Sequence, residues 1–253
     1  MGINNYNPFS LEGKTILVTG ASSGIGQATA VECSKLGAKL ILTARNEERL
    51  KETLTMLEGE GHSFIVADLA NEEDIEKLVA EMPVVDGLVN NAGSFILQLI
   101  PFLKSSDIKA LLKVNLEAPI WLTHAVVKKK KVRKGGSIVF TSSIAGKGIC
   151  AMGYSIYITS KGGLSAFMKN AAMELAAKQI RCNAVLPGLV ETPLKERNPN
   201  VTEQQWEANR LQYPLQRFGQ PEDVAWAIIY LLSDASAWMT GSEVVIDGGR
   251  SLK

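Results

Sequence analysis

Apolar positions along this chain fall into short runs, and the stretches between them repeat with the period of an amphipathic helix. The runs are five to seven residues long and rich in β-branched side chains, which is typical of buried strands. We predict strands at residues 14–19, 38–44, 62–67, 86–90, 136–142, 180–186 and 243–247. Strands that alternate with helices indicate a parallel sheet with helices on both faces. The hydrophobic pattern therefore predicts a doubly wound α/β fold.

The longest predicted helical stretch, residues 105–131, has a polar interruption. Asn115 stands inside an apolar segment, where asparagine is unfavourable unless its amide makes a bond. Pro119 lacks the N–H that a helix interior needs, so we predict a kink or irregular turn there. Four lysines at 128–131 end the stretch. They are either a solvated helix end or a landing patch for an acidic partner.

Length and composition narrow the class of protein. The 253 residues fit one domain over 1–253, with a flexible arm at residues 1–10. Residues 189–220 contain three prolines and no long periodic segment, which is typical of a substrate lid. A net charge of +1 and the absence of a long apolar run argue against nucleic-acid and membrane partners. Three scattered cysteines favour a cytoplasmic protein, and the two histidines lack partners at metal-ligand spacing.

A glycine turn joins the first predicted strand to the first predicted helix. Gly20 permits the tight turn, Gly24 lets a pyrophosphate approach the backbone, and Gly26 lets helix and strand pack closely. The free N–H groups and the positive helix end then face an anion. A glycine turn without a ligand is the alternative, but the strand–turn–helix context favours a dinucleotide phosphate loop.

The end of the second predicted strand bears on the choice of cofactor. A carboxylate there binds the ribose 2′-OH of NAD, whereas a nearby arginine accommodates the 2′-phosphate of NADP. Ala44 stands where the acid is expected and Arg45 follows it, which favours NADP over a merely solvated arginine. Asn46 is expected to cap the next helix. Asp68, after the third strand, either accepts from an adenine amine or caps the following helix.

The polar candidates lie at a common edge of the predicted sheet. Gly20, Arg45, Asp68 and Asn91 each follow the carboxyl end of a predicted strand. Ligands of doubly wound sheets bind outside those ends. Four independent placements on one edge therefore predict a single dinucleotide cleft.

Tyr157 and Lys161 are four residues apart on a predicted helix, so they share one face. A fixed ammonium about 4 Å from a phenol, at an effective dielectric near 20, is worth roughly 4 kcal/mol. That corresponds to a lowering of the phenol pKa by up to ~3 units. The pair alone also fits an ordinary helix with a packed tyrosine and a surface lysine. Ser142 and Ser143 precede this helix and point to opposite sides of their strand.

With these residues placed, the chain resembles the short-chain dehydrogenase/reductase family over nearly its whole length after residue 10. The shared motifs are Thr19-Gly20-x-x-x-Gly24-Ile25-Gly26, Asn90-Asn91-Ala92-Gly93, Asn115, Ser143, Tyr157-x-x-x-Lys161, Pro187-Gly188 and Asp247-Gly248-Gly249. The resemblance implies that the seven predicted strands form one Rossmann-like parallel sheet. It also implies hydride transfer between NADP(H) and a carbonyl or secondary alcohol, in a homodimer or homotetramer.

The resemblance assigns roles to individual residues. Tyr157 resembles the proton donor, Lys161 lowers the phenol pKa and holds the nicotinamide ribose, and Ser143 hydrogen-bonds the substrate carbonyl. Asn115 resembles the residue that holds a water for a proton relay past Lys161. The cofactor contacts that it implies are Gly20, Ser22, Ser23, Gly24, Ile25, Gly26, Arg45, Asn46, Asp68, Leu69, Asn91, Ala92, Gly93, Tyr157, Lys161, Pro187, Gly188, Val190 and Thr192.

The subgroup that the chain resembles most is 3-oxoacyl-acyl carrier protein (ACP) reductase. That subgroup docks acidic ACP on basic residues beside the site, and Lys134 and Lys178 match those places by spacing. Reduction of another ketone, sugar, polyol or steroid is the alternative, and a cofactor-binding sensor without chemistry is a third hypothesis. Two features depart from the family: the chain between Asp68 and Asn90 is short, and the loop after Gly93 is unusually apolar. Residues 95–97, 144–154 and 189–220 are expected to line a mostly apolar pocket, with Cys150 and Tyr154 near the substrate.

Overall fold

The computed structural model describes residues 6–192 and 202–252. The strands are β1 Thr15–Thr19, β2 Lys39–Ala44, β3 Ser63–Val66, β4 Val85–Asn90, β5 Val132–Thr141, β6 Arg181–Pro187 and β7 Glu243–Ile246. The α-helices are α1 Gly24–Lys35, α2 Glu47–Thr55, α3 Glu72–Glu81, α4 Ser105–Leu112, α5 Ala118–Lys128, α6 Ser155–Leu175, α7 Glu203–Arg210 and α8 Pro221–Leu232. None of these helices is long and apolar enough to cross a membrane.

The seven strands form one parallel sheet in the order β3-β2-β1-β4-β5-β6-β7. The predicted doubly wound fold is therefore confirmed. From β1 the chain adds β2 and then β3 on one side of the sheet. It then crosses back to place β4 on the other side of β1, followed by β5, β6 and β7, so the strand order reverses between β1 and β4. A reversal of this kind opens a crevice at the carboxyl edge of the sheet, where the loops diverge.

Apolar side chains alternate between two cores, one on each face of the sheet. In β1, Leu17 enters the core beneath α3, α5 and α6, whereas Ile16 and Val18 enter the core beneath α1 and α8. Because both faces are covered, the central strands read as continuous apolar runs rather than as alternating ones. Phe140 of β5 is fully buried and is among the largest such side chains.

The predicted helix at 105–131 is divided. A π-helical turn at Lys113–Glu117 separates α4 from α5, and Asn115 lies within it. Pro119 is in the first turn of α5, where its missing N–H costs little. The predicted irregularity is confirmed. The helix also ends earlier than predicted, at Lys128, and β5 begins at Val132 with a register shift opposite Val85–Gly87.

The lysine-rich end of α5 is only partly free for a partner. Lys129 forms an ion pair with Glu76 of α3. The ammonium of Lys131 donates to the carbonyl of Met82 at 2.5 Å. Two of the four lysines therefore tie α5 to α3, a third role that neither sequence-based alternative included.

The N-terminal segment is bound to the domain from residue 7 onward. Leu11 is fully buried, and its N–H donates to Leu36 at 2.9 Å. Pro8 accepts from Ala235, and the Phe9 ring packs against Tyr230 at 6.1 Å. Of the flexible arm expected at residues 1–10, residues 7–10 are instead held by hydrogen bonds and by the contact of Phe9 with Tyr230. Residues 1–5 lie outside the described part of the chain.

The two ends of the predicted lid are hydrogen-bonded to each other. Val190 pairs with Gly219, and the N–H of Glu191 donates to Gly219 at 2.8 Å. Between these points lie α7 and a ring cluster in which Phe218 packs edge-on against Trp206 and Tyr213. Residues 193–201 of the predicted lid lie outside the described residues. The described part gives the segment a fixed base beside the end of β6.

Candidate active site

The turn between β1 and α1 leaves no room for side chains. Gly20 and Gly24 have φ values of +65° and +57°. A Cβ on Gly26 would lie 2.3 Å from the carbonyl oxygen of Gly20 and 2.5 Å from Nδ2 of Asn91. Ser23 precedes α1 with extended backbone, and its side chain makes no capping bond. The first N–H groups of α1 therefore stay available to an anion, as a dinucleotide phosphate requires.

A buried hydroxyl holds this turn against β4. Thr19 Oγ1 donates to the carbonyl of Val89 at 3.1 Å and accepts from the N–H groups of Asn91 and Ala92. The Asn91 amide donates back to the carbonyl of Thr19 at 3.1 Å. Sequence analysis assigned Asn91 to the cofactor, but its amide first serves to join the two strand ends. The network fixes the floor of the crevice before any ligand arrives.

The segment after β6 forms the opposite wall. A Cβ on Gly24 would lie 3.1 Å from the methyl group of Thr192, so the wall reaches across to the glycine turn. Tyr213 of the lid supports the wall, because its hydroxyl accepts from the N–H of Leu189 at 3.0 Å. Thr192 therefore faces the turn that holds Gly20 and Gly24, whereas cofactor contacts of Pro187, Gly188 and Val190 stay predictions. This is the geometry that a dinucleotide lying across the switch point needs.

The ends of β2 and β3 supply the remaining predicted cofactor contacts. Arg45 is exposed and has no hydrogen bond or ion pair in the described structure. Asn46 caps α2 as predicted, with its oxygen accepting from Arg49 at 2.9 Å. Asp68 Oδ1 accepts from Ala70 at 3.0 Å.

The structure distinguishes between the two alternatives for Asp68, which were contact with the adenine amine and a cap of the next helix. Asn71, not Asp68, caps α3, because its side chain accepts from Glu73. The helix-cap interpretation of Asp68 is therefore wrong, and contact with the adenine stays a prediction. Leu69 is 8 % exposed and packs in the core. Only its backbone is open to a cofactor.

The two serines after β5 separate as their alternation predicts. Ser143 faces the phenol of Tyr157 closely enough to lower its pKa, and its Oγ accepts from the N–H of Ala145 at 3.2 Å. Ser142 points the other way, where its hydroxyl donates to the carbonyl of Lys161 at 3.0 Å. The structure thus brings Ser143 and Tyr157 together as a hydroxyl pair and keeps Ser142 behind them.

Tyr157 and Lys161 differ from the sequence-based expectation in their electrostatics. Burial raises the pKa of Tyr157, and its hydrogen bond with Ser143 opposes that rise. Burial lowers the pKa of Lys161 to about 8. The ammonium donates to the carbonyl of Thr141 at 2.8 Å and lies 6.0 Å from the centre of the Tyr157 ring. The predicted lowering of the phenol pKa is therefore not found in the protein alone, because loss of water outweighs the distant charge.

Asn115 lies beside this pair with its amide fully used. Its Oδ1 accepts from the N–H of Ser94 at 2.7 Å, and its Nδ2 donates to the Ser94 carbonyl at 2.9 Å. A longer contact of 3.3 Å reaches Ser160 Oγ. A Cβ on Gly93 would lie 3.3 Å from Asn115 Oδ1 and 3.6 Å from Lys161 Nζ. The side chain thus holds the β4–α4 loop next to Lys161, and the relay water stays a prediction.

Aromatic rings form the substrate side of the site. Phe95 packs edge-on against both Tyr154 and Tyr157, with ring centres 5.0 and 5.1 Å apart. Around them, Leu97, Leu99, Ile100, Phe102 and Met152 are exposed. The N–H of Gln98 donates to Gly153 at 2.9 Å and joins the two loops that carry these side chains. The predicted apolar mouth is therefore present, with Phe95 as the ring that touches Tyr157.

Lys134 and Lys178 lie away from this site. Lys134 is near the start of β5 and Lys178 comes just before β6, whereas Ser143 follows the end of β5. Seven residues of strand span roughly 23 Å at about 3.3 Å per residue. Spacing along the sequence placed these lysines beside the site, but in the parallel sheet they lie at its opposite, amino-terminal edge.

The described residues contain no group of three side chains that could hold a metal ion. Two contacts were not predicted. They are the hydrogen bond between the hydroxyls of Ser142 and Ser165, and the bond from the N–H of Leu189 to the Tyr213 hydroxyl. Serine and tyrosine at those positions carry no spacing signal, because their partners are distant in the sequence.

The sequence matches a known protein family and is similar to curated proteins. A family model described as enoyl-(acyl carrier protein) reductase matches residues 20–251. A curated relative, the 3-oxoacyl-[acyl-carrier-protein] reductase of Thermotoga maritima, is 39 % identical over 245 residues, covering 94 % of this chain and 98 % of its own.

Solved structures also superimpose on nearly the whole chain. A proposed short-chain alcohol dehydrogenase from Sinorhizobium meliloti superimposes with a TM-score of 0.91 at 30 % identity, covering 98 % of this chain and 100 % of its own. A proposed 2-deoxy-D-gluconate 3-dehydrogenase from Agrobacterium tumefaciens, solved with bound NADP, gives 0.87 at 31 % identity with the same coverage.

Proposed function

The chain belongs to the short-chain dehydrogenase/reductase family of oxidoreductases, and from this premise we propose that it is an NADPH-dependent reductase of 3-oxoacyl thioesters. The observation that carries the proposal is the cluster in which Ser143 lies beside the phenol of Tyr157 and the Lys161 ammonium lies 6.0 Å from the centre of the Tyr157 ring. It lies at the carboxyl edge of the sheet, next to the glycine turn. A half-buried phenol at that place suits the protonation of a carbonyl oxygen.

The residues of the chain supply the proton chemistry. When bound, the nicotinamide supplies the hydride. As a hydride adds to the carbonyl carbon, the π electrons move to the oxygen, which takes the phenol proton of Tyr157. Ser143 lies beside that phenol, where its hydroxyl is placed to hydrogen-bond the carbonyl oxygen as the reduction proceeds. Because burial raises the pKa of Tyr157, the phenol holds its proton at neutral pH, in the state that reduction requires.

Lys161 is suited to restore the proton to the phenolate. Its pKa of about 8 lies near the working pH, so the ammonium both stabilises the phenolate and exchanges protons readily. Asn115 holds the adjacent loop and thereby fixes the space beside the ammonium. The four predicted catalytic residues thus meet in one place, which argues against the sensor hypothesis.

The preference for NADP rests on the end of β2. Ala44 offers no carboxylate to the ribose, and the unpaired, exposed Arg45 is free to bind a 2′-phosphate. The bound NADP of the Agrobacterium tumefaciens relative supports this assignment.

The substrate class rests on the curated relatives and on the apolar mouth. The Thermotoga maritima relative is a 3-oxoacyl-ACP reductase, and exposed apolar side chains around Phe95 suit an acyl chain. Reduction of another ketone, sugar, polyol or steroid is the second candidate, and the sugar-acid dehydrogenase among the structural relatives favours it.

We test the proposal by following NADPH oxidation with an acetoacetyl thioester on pantetheine and on ACP, beside a panel of ketones, sugars and polyols. An enoyl thioester serves as the substrate that tests reduction of a C=C bond. Rapid turnover of the acetoacetyl thioester is expected. The Tyr157→Phe variant keeps the ring contacts with Phe95 and removes only the acid, so a loss of turnover by at least about a hundredfold is expected. Full turnover in that variant would contradict the mechanism.

We also propose a cytoplasmic homodimer or homotetramer that takes its substrate from ACP. Lys134 and Lys178 lie at the edge of the sheet opposite Tyr157, so they can dock a carrier only for the site of a neighbouring subunit. The mass of the particle in solution, measured by light scattering, decides between monomer and oligomer.

A further inference from the structure

Two buried serines lie behind the catalytic pair, and the mechanism above gives them no task. Ser142 is 3 % exposed and Ser165 is 4 % exposed. Their hydroxyl oxygens are 3.0 Å apart, and the Ser142 hydroxyl donates to the carbonyl of Lys161 at 3.0 Å. A hydroxyl carries one proton. Since Ser142 directs its proton to Lys161, Ser165 must be the donor to Ser142.

The carbonyl that receives this bond belongs to a catalytic residue. Lys161 lies in the interior of α6, and a carbonyl oxygen has a second lone pair beyond its helical bond. The chain Ser165–Ser142–Lys161 therefore connects the end of β5 to the backbone of α6. The side chain of Lys161 returns to β5 as well, through its bond to the Thr141 carbonyl at 2.8 Å.

A glycine makes the same junction tight. A Cβ on Gly146 would lie 2.8 Å from the carbonyl carbon of Lys161 and 2.9 Å from the nitrogen of Gly162. The turn after Ser143 thus touches the backbone of α6 at the residue that Ser142 holds. Backbone contact sets how closely the turn and the helix approach, and the directional hydroxyl bonds set how far the helix can slide along the strand.

We propose that Ser142 and Ser165 are positioning residues, which hold α6 in register with β5 so that Tyr157 meets Ser143. The inference rests on the proposed reductase activity. Tyr157 is one helical turn before Lys161, so a slide of the helix at Lys161 moves the phenol equally. A displacement of about 1 Å at a reacting group can cost about a hundredfold in rate.

The test compares Ser142→Ala with Ser137→Ala. Ser137 lies in β5, the strand that ends just before Ser142; it is 1 % exposed and donates to the carbonyl of Leu231 at 2.7 Å. Both variants lose one buried hydroxyl–carbonyl bond. The bond from Ser142 reaches Lys161 of α6, whereas the bond from Ser137 reaches Leu231 of α8. We expect Ser142→Ala to lower kcat about ten- to a hundredfold and to shift its pH profile, with KM for NADPH changed less than about twofold. We expect Ser137→Ala to change kcat by less than about twofold.

Ser165→Ala gives a second route if Ser142→Ala does not fold. Removing Ser165 leaves the bond from Ser142 to Lys161 but takes away its support, so a smaller loss of kcat is expected. In the double variant the losses should not multiply, because both residues act through one bond. Equal losses of kcat in Ser142→Ala and Ser137→Ala, or independent losses in the double variant, would overturn the inference. A wild-type protein without turnover on any carbonyl would instead overturn the proposed function.

Discussion

Lys161, for which we propose a catalytic role, also shows how a buried charged residue reduces the stability of the fold that holds it. Burial lowers its pKa from 10.5 to about 8. Between these two values the unfolded chain binds more protons than the folded one. The free energy of unfolding therefore rises with pH across that window, and the cost of the buried lysine is fully present below about pH 8.

Replacement of Lys161 by methionine should remove this cost. A pKa lowered from 10.5 to about 8 corresponds to about 3 kcal/mol. The bond to the Thr141 carbonyl is lost as well, so a gain of about 1–3 kcal/mol at pH 7 is expected. Urea unfolding at pH 7, 8, 9 and 10 measures it. The gain should shrink as pH rises toward 10.5, while activity is lost throughout.

Lys134→Met is the matched control, because Lys134 is exposed. Its unfolding free energy should follow that of the wild type at every pH. A Lys161→Met variant with no gain at pH 7, or with a gain that does not change with pH, would show that the buried ammonium carries no such cost.

Individual residues also show what a sequence can predict. The opposite directions of Ser142 and Ser143 follow from the alternation of a strand, and the structure has them as predicted. The pKa of Tyr157 could not be predicted, because spacing on a helix gives proximity to Lys161 but not the extent of burial. The same limit applies to the pairing of Ser142 with Ser165, because a 3-10 turn, a loop and about three turns of α6 separate the two residues.

At the scale of an element, the β1–α1 turn depends most on the absence of side chains. A Cβ on Gly26 would lie 2.3 Å from the Gly20 carbonyl oxygen, so the turn would have to move. We expect Gly26→Ala to lower the free energy of unfolding by about 1–3 kcal/mol, as overpacking does. We also expect it to weaken NADPH binding at least tenfold, measured by calorimetry.

Gly162→Ala provides the comparison for this prediction. Its Cβ would meet the Gly146 carbonyl oxygen at 3.5 Å, which is ordinary contact inside a helix. Alanine in a helix interior is more favourable than glycine by up to about 1 kcal/mol. This variant should be as stable as the wild type or more so. Equal behaviour of the two variants would show that the close approach at Gly26 does not matter.

Elements with a strong local signal were the easiest to predict. The strands and the Asn46 cap follow from apolar runs and capping chemistry, and the break near Asn115 follows from a buried amide and a proline. The end of α5 was placed too late, because the four lysines continue the helical pattern. The chain turns there because Lys130 adopts left-handed backbone, with φ +54°, and the N–H of Lys131 donates to the Val126 carbonyl at 2.7 Å. Contacts of the lysines with Glu76 and the carbonyl of Met82 hold that turn against α3.

For the whole molecule, the order of strands decides which residues can cooperate. Lys134 and Lys178 match a docking pattern by spacing, yet the parallel sheet carries them to the edge opposite the site. Conversely, Gly24 and Thr192 are far apart in the sequence and meet across the crevice. Topology could be predicted from the alternation of elements. The distances between residues at the two edges of the sheet, and the contacts between subunits, depend on packing. The local hydrophobic pattern gives no information on that packing.

Because the crevice joins both halves of the sheet, a bound dinucleotide should stabilise the whole domain. At a hundredfold excess over Kd the stabilisation is about 2.7 kcal/mol, which for a chain of this size corresponds to roughly 5–10 °C in Tm. We expect NADPH to give this shift at concentrations where NADH does not, since only NADPH offers a 2′-phosphate to Arg45. In the Arg45→Ala variant the two cofactors should give equal shifts. Equal shifts in the wild-type protein would contradict the preference for NADP, whatever the substrate proves to be.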